Sequence, residues 1–592
     1  MSDNTVIHLP RFSAVLSQRS TPVKMSQEAA SKLPRWSLLM LLAVFALGAL
    51  WAGDLWTMRD AESFGMAIAM LKGGPVEWFL PSVVDVPLTG SGPMTGWLTA
   101  ILIWLFGTSG GGLGIMSDMS AMRLAAAFWF AGTTAALWYG TWHLARRPEA
   151  QPIAFAFGGE ASPRDYGRVV ADAAVLLFVA TFGIVTRQHE ALPDTALLTM
   201  AALNFYGLTV ALHRPAFGNL LAGFAAGAAL LAATLFSAFW LLLQSLLVAY
   251  LLDSFPGERR RRISLILIGA FVAVIIWPLL AFAVAPDESR HWFALWLIEQ
   301  GSLFGLTRAE TWLWFGRNAV WYLCPIWPFV LWGIYSWRRQ LGLTHIALPL
   351  TLAATGLIAA VFSSHQAADT VFLTFLPPLA VTAAFGLVTV PRSKENVLDW
   401  FSITIFSLGV LTLWAYWFAW LTAFAPKMAK SLQMLAPGSS PVFDSGFLFA
   451  AVTTVFWFAF VSWRLTHRPI VIWRGPWLSA AGMTAFSAAL IGLFHTGITI
   501  NRSYEPLVHD VIETLALGGK TDADCVSSPR LNPGIQAVFL YYGNLAVLTS
   551  PDAACRFVLH RTRQDNVVFD NMIGGPLSRP HTDESFTVTV SQ

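Results

Sequence analysis

The sequence predicts a mostly α-helical fold, a polytopic membrane helical bundle of about 13 spans, each near the length that crosses a bilayer. A large first outer loop and a small α/β extracytoplasmic C-terminal domain complete it. Three observations predict this. Apolar runs of near-spanning length recur along the chain, basic and acidic loops alternate between them, and the last segment turns polar with strand-like patterning.

Composition supports the first observation. Of 592 residues, 56% are hydrophobic and 12% charged, and 27 are Trp. Soluble domains carry about twice that charged fraction, so a soluble enzyme is excluded. The net charge of +3 is too small to imply a nucleic-acid partner, and none is expected.

Residues 1–35 are polar and carry Arg11, Arg19, Lys24, Lys32 and Arg35. The stretch is too long and loosely basic for a cleaved signal peptide, and is expected to be a cytoplasmic tail. The expected membrane domain, 36–496, has candidate spans at 36–53, 121–144, 171–187, 195–212, 217–235, 236–252, 263–285, 319–337, 345–362, 370–390, 400–424, 446–464 and 476–496. The run 94–106 is too short to cross. If it does not cross, Arg146/Arg147/Arg164/Arg168, Arg259 to Arg262, Arg338/Arg339 and Arg464/Arg468/Arg474 all fall inside. Asp60/Glu62, Glu190/Asp194 and Asp287/Glu288 then fall outside. Counting it as a span would invert every later loop, against the positive-inside rule.

The first outer loop is therefore 54–120, with helices expected at 60–72 and 94–106 along the interface. The Trp-rich loop 286–318 suits an amphipathic element at headgroup depth. Gly223 and Gly227 form a GxxxG pattern inside a span, which signals close helix packing. In the outer domain, 497–592, "VHDVIETLAL" reads as a helix, and "AVFLYY", "LAVLTS", "RFVLHR" and "FTVTVS" read as strands. Cys525 and Cys555 share this domain, and an oxidising compartment would allow a disulfide between them.

Two acidic positions could carry chemistry. One is Asp60 with Glu62 in the first outer loop; the other is "TRQHEALPDTALLT", with Glu190 and Asp194. Carboxylates facing one outer cavity can serve as general base and substrate-positioning groups. Asp60 and Asp194 can equally be helix caps. Asp60 and Glu62, two residues apart, cannot face the same way on a helix. Arg187, among apolar residues, needs a carboxylate or anion nearby.

The order of these features resembles the lipid-linked-sugar glycosyltransferases of the C-type superfamily, particularly the lipid A aminoarabinose transferases and their relatives among protein mannosyltransferases. "RDAESFGMAIAMLKGG" is similar to the family's acidic first-loop helix, with Asp60 the best match to its catalytic Asp and Glu62 the next. "PSVVDVPLTGSGPMTGWLTAILIWLFG" follows in register with P-Y-L-E-K-P-P-L-Y-Y-W-L. "RQHEALPDTALLTMAALNFYG" resembles R-x(5)-P-D-x-x-L-T, which makes Asp194 the second acidic position. "VFSSHQAADTVFLTFLPPLAVTAAFG" resembles the outer-end segment before a Pro-rich span. The chain departs from the family at Gly90-Ser91 in place of Glu-Lys, at Gly92 in place of the first Pro, at Thr234-Leu235-Phe236 in place of Thr-Lys-Gly, and at His365-Gln366 where the family has Lys.

The resemblance implies an integral-membrane glycosyltransferase of the bacterial inner membrane, N-terminus cytoplasmic and C-terminus periplasmic. It would move a sugar from a polyprenyl-phosphate carrier to a lipid A-like, glycan or protein acceptor on the periplasmic face. Asp60 would be the base, with Glu62 or Asp194 orienting acceptor or sugar. Arg187, Arg59, Arg317 and His365 are the candidates for the donor phosphate, which needs positive charge. Membrane lipids are the surrounding partners. No cofactor is implied with certainty. A divalent metal stays open, though no ligand cluster has useful spacing. A lipid-linked-sugar transporter or flippase, and a non-catalytic member of the family, are the alternatives; no internal symmetry supports a transporter.

Overall fold

The computed structural model describes residues 21–30, 35–51, 54–190, 192–252, 255–364, 372–467, 474–529, 531–549, 555–562, 571–579, 582 and 584–590. The first helix is α1 (Arg35–Leu47). The first loop holds α2 (Met58–Lys72), a hairpin of β1 (Ser82–Val83) and β2 (Val86–Pro87), and α3 (Met94–Phe106). Next come α4 (Asp118–Ala145), α5 (Pro163–Val179), α6 (Phe182–Glu190), α7 (Leu192–Val210), α8 (Pro215–Ala232), α9 (Leu235–Leu252) and α10 (Pro256–Val284). The rest of the bundle is α11 (Pro286–Ser302), α12 (Ala309–Tyr322), α13 (Ile326–Ser336), α14 (Thr344–Val361), α15 (Leu376–Leu387), α16 (Arg392–Thr422), α17 (Pro426–Leu435), α18 (Ser445–Thr466) and α19 (Arg474–Arg502).

Among the described residues, six helical segments are long and apolar enough to cross a membrane, and eight if each of two bent pairs is one span. This is a multi-pass membrane protein. The count is below thirteen because several expected spans are shorter or broken. The expected span 319–337 is α12 and α13, bent by 88°. Pro325 at the break has no N–H to continue a helix. Likewise, 171–187 is split between α5 and α6, which meet at 68°. The GxxxG pair packs α8 against α10: a Cβ on Gly223 would stand 2.0 Å from the Ile266 carbonyl oxygen.

Helix starts in the first loop follow side-chain caps. Thr57 accepts the Asp60 amide at 3.2 Å, so α2 begins at Met58. Asp60 is therefore not the cap that its position suggested. It lies in the first turn, where a negative charge complements the helix dipole. Asp194 also lies inside the first turn of its helix.

Tryptophan and glutamine side chains clamp the stretch between α2 and α3. The indoles of Trp97, Trp277 and Trp292 donate to the carbonyls of Trp78, Phe79 and Pro81, at 2.5, 2.8 and 3.2 Å. Buried Gln300 donates to the Thr89 carbonyl at 2.8 Å and accepts the Leu235 amide at 2.9 Å. Gly92 suits its place: its amide donates to the Ala233 carbonyl at 2.9 Å, and a Cβ there would come within 2.3 Å of the Leu231 oxygen. A proline would lose that bond.

The C-terminal unit contains α20 (Glu505–Leu517), β3 (Val526–Ser527), α21 (Pro533–Gly543), β4 (Val547–Leu548), β5 (Phe557–Thr562), β6 (Met572–Ser578) and β7 (Ser585–Val590). The strands form one mixed sheet in the order β4-β3-β5-β7-β6. "AVFLYY", expected as a strand, is the body of α21. A short apolar run does not reveal its period; Asn532, whose side chain accepts the Gly534 amide, and Pro533 start a helix there. Strand β6 is not among the expected strands; it carries Gly574, Gly575 and Pro576, residue types depleted in strands. Cys525 and Cys555 are joined by a disulfide, Cα to Cα 5.1 Å.

This unit docks on the first loop through α21. A Cβ on Gly65 would lie 2.5 Å from that of Ala537. The rings of Phe64 and Tyr541 meet edge to face at 4.7 Å. Asp85 accepts from Gln536 and from the Thr549 amide. Phe64, Ile103 and Met122 share one buried cluster with Val538, Phe557 and Phe586.

Gln300→Ala strands the Thr89 carbonyl and the Leu235 amide, each worth about 1–3 kcal/mol when buried without a partner. The variant is expected to unfold at clearly lower temperature in detergent than Arg290→Gln, an exposed control on the same helix. Equal midpoints would contradict the clamp.

Candidate functional site

The site grows from two consecutive residues of α2. Asp60 turns into the protein and is fully buried. Its Oδ2 accepts from Nη2 of Arg123 on α4 at 3.0 Å, and the same Nη2 reaches the Asp54 carbonyl at 2.9 Å. Arg59, one residue earlier and so about 100° away around the helix, reaches α7 instead. Its Nη1 lies 3.0 and 3.1 Å from the two oxygens of Asp194. Arg187 of α6 adds a third contact, Nη1 to Asp194 Oδ2 at 3.3 Å.

Exposure decides what this cluster can do. The Asp194 side chain is 0% exposed, whereas those of Arg59 and Arg187 are 34% and 29% exposed. The carboxylate therefore forms the floor and the two guanidiniums the accessible surface. Two partly exposed guanidiniums over a buried carboxylate offer N–H donors of the kind that bind a phosphate or another anion.

Glu62 is set apart, as its spacing from Asp60 requires. It faces α21, where a Cβ on Gly534 would stand 3.2 Å from its Cγ. Burial raises its carboxyl above the usual carboxylate range. The Asn532 side chain and the charge of Arg59 oppose the shift, and the charge of Glu299 adds to it. Glu299 of α11 accepts from the Thr89 hydroxyl. Its Oε1 lies 3.5 Å from where a Cβ on Gly90 would stand. A carboxylate from a distant helix thus sits beside the glycine where the resembled family carries Glu.

Of the residues singled out from sequence, Arg59, Arg187 and Asp194 come together, Asp60 adjoins them in the chain but pairs with Arg123, and Glu62 is reached by the charge of Arg59. Arg317 is exposed on α12, outside this bonded cluster. His365 and the side chain of Glu190 lie outside the described residues. Among the described residues, no group of three or more His, Cys, Asp or Glu side chains is placed to hold a metal ion. Sequence reasoning missed Arg123, Glu299 and Asn532. Arg123 did carry a signal, since it is a lone charge at the start of an apolar run, the feature that singled out Arg187. Glu299 and Asn532 carried none.

Known structures share this architecture. The chain aligns with ArnT from Cupriavidus metallidurans bound to undecaprenyl phosphate at a TM-score of 0.63 and 14% identity, over 94% of this chain and 98% of that one. The same protein in the apo state aligns at a TM-score of 0.56, with the same identity and coverage. No protein-family model and no curated protein matches the chain. At this identity the likeness is one of fold, and it is the fold that the sequence resemblance implied.

Removing Arg123 leaves Asp60 buried without its guanidinium, a change that destabilises by about 3–5 kcal/mol in buried pairs. Arg123→Ala should therefore unfold far below the parent. Arg59→Ala and Arg187→Ala each leave Asp194 one arginine, so the double variant should lose more than the sum of the singles. Strict additivity would show that the arginines do not share this carboxylate.

Glu62 gives a pH signature. With its folded pKa raised, the folded state holds the proton more tightly, so stability falls as pH climbs from the ordinary carboxylate value through the raised one. Glu62→Gln removes that loss. Its unfolding midpoint should exceed the parent's at pH 7 and converge with it at pH 4. The same offset at both pH values would contradict the shift.

Proposed function

We propose that this protein is a membrane glycosyltransferase that moves a sugar from a polyprenyl-phosphate carrier to an acceptor, at the cluster built on Arg59, Asp60, Arg187 and Asp194. One observation carries the reading. In a chain with the fold of ArnT, which has been solved with undecaprenyl phosphate, two partly exposed arginines meet on the buried carboxylate of Asp194, and the residue after one of them, Asp60, is a second buried carboxylate.

In this reading, the carrier phosphate sits against Arg59 and Arg187. The bond between the sugar's anomeric carbon and the phosphate oxygen breaks, and its electron pair leaves with polyprenyl phosphate, stabilised by the two guanidiniums. The acceptor's nucleophilic oxygen or nitrogen forms the new bond, and Asp60 takes its proton. Taking that proton requires Asp60, fully buried against Arg123 in this structure, to become accessible to the acceptor. Glu62, beside the C-terminal unit, orients the acceptor. We assign residues 36–496 to the transferase domain and 497–592 to a cover over the cavity that selects the acceptor. The acceptor is a lipid A-like lipid, a glycan or a protein. The protein works in a bacterial inner membrane, with its N-terminus in the cytoplasm and its C-terminal domain in the periplasm.

A second reading, a binder or flippase of lipid-linked sugars without transfer, draws on the same contacts, since both carboxylates are already engaged by arginines. Purified protein with labelled polyprenyl-phosphate sugars and a panel of acceptors separates the two. Transfer predicts acceptor-dependent release of free polyprenyl phosphate, lowered about 100-fold or more in Asp60→Asn. Carrier binding without release, against a validated panel, would favour the second reading. Full activity of Asp60→Asn would remove Asp60 from the role of base.

A further inference from the structure

A cavity of about 1140 Å³ opens between α1, α4 and α5 and runs along α4 from Leu124 to Trp142. Most of its wall is apolar and formed by small or aliphatic residues, among them Leu42 of α1 and the exposed Ala131 and Ala135 of α4. The lips of α1 and α4 bear large exposed apolar side chains; Leu39, Met40 and Phe128 are 54%, 61% and 55% exposed. A cavity with such lips opens sideways into lipid rather than into water.

One end differs in character. Trp138 and Trp142 line it, their rings stacked at 6.1 Å. Arg164 and Arg168 line it as well. Arg146 lies over the Trp142 ring at 4.2 Å. Asp172 accepts the Trp138 indole at 2.6 Å, and Arg168 stands 3.9 Å from Asp165. Two guanidiniums and one carboxylate thus line a tryptophan-bearing end, with Arg146 and Asp165 bordering it through Trp142 and Arg168, which is the make-up of a headgroup-level anion site.

Position separates this end from the transfer cluster. Arg123 and Trp142 lie on the same helix, roughly 28 Å apart at 1.5 Å per residue. That is close to the roughly 30 Å thickness of a bilayer's hydrocarbon core. The tryptophan end therefore belongs to the opposite leaflet, on the side to which the basic loops assign the cytoplasm. Basic pockets between membrane helices on that side hold anionic lipid headgroups.

We propose that this cavity is a binding site for an anionic glycerophospholipid, with acyl chains along the α1–α4 wall and the phosphate held by Arg164 and Arg168. Arg146 on Trp142 marks the headgroup depth. The lipid bridges α1 to α4 and α5 across a gap that protein side chains leave open.

The test is native mass spectrometry of the full-length protein with added phosphatidylglycerol, phosphatidylcholine or undecaprenyl phosphate. Phosphatidylglycerol should remain bound under activation that strips phosphatidylcholine. Arg164→Gln/Arg168→Gln should weaken the retained lipid about tenfold or more, and Arg290→Gln should not. Ala131→Trp fills the apolar part from an exposed position and should displace the lipid with the arginines intact. It decides the matter if the double variant fails to fold. Equal retention of phosphatidylcholine, unchanged binding in both variants, or displacement of phosphatidylglycerol by undecaprenyl phosphate would each overturn the proposal.

Discussion

Arg59 and Asp60 are neighbours in the chain but make ion pairs with different helices, and the site depends on that division. Asp60 is fully buried against Arg123, and Arg59 lies half-exposed on Asp194. A buried charge is tolerated only when paired, because desolvation is expensive and the attraction must offset it. The rotation of α2 is thereby set: turning it would leave one buried carboxylate without its arginine. Thr57 sets the start of the helix and so the direction of both side chains.

With α2 oriented, the rest of the first loop can be placed. Its polypeptide between α2 and α3 would leave carbonyls stranded among apolar helices. Indole and amide donors from α3, α10 and α11 meet those of Trp78, Phe79, Pro81 and Thr89. A buried carbonyl without a donor is costly, so tryptophans that composition alone would assign to the interface act here as hydrogen-bond clamps. The same region explains a departure from the resembled family: Gly92 lies too close to the Leu231 carbonyl for any side chain.

The C-terminal unit is tied to this loop more than to the bundle. Its helix α21 packs on α2 through Gly65 and Phe64, and Asp85 anchors its sheet end. Gly534, in the first turn of that helix, packs against the Glu62 side chain. A movement of the unit would therefore reach the charged cluster through α2, a route that packing provides without any further element.

The sequence by itself determined the membrane bundle, the helical first loop, the small α/β unit and four of the five charged residues now found near one another. Those features follow from local quantities: length of apolar runs, charge at their ends, and the spacing of Arg187 and Asp194. Tertiary structure alone decided the partners. Asp60 meets Arg123 across 63 positions and Arg59 meets Asp194 across 135, and no periodicity specifies such pairs. It also decided that "AVFLYY" is a helix, since an apolar run takes its period from what it packs against, and that Glu299 stands beside Gly90. Propensity and charge are written residue by residue. Which carboxylate neutralises which arginine depends on helices packing in three dimensions, where burial makes an unpaired charge too costly to leave.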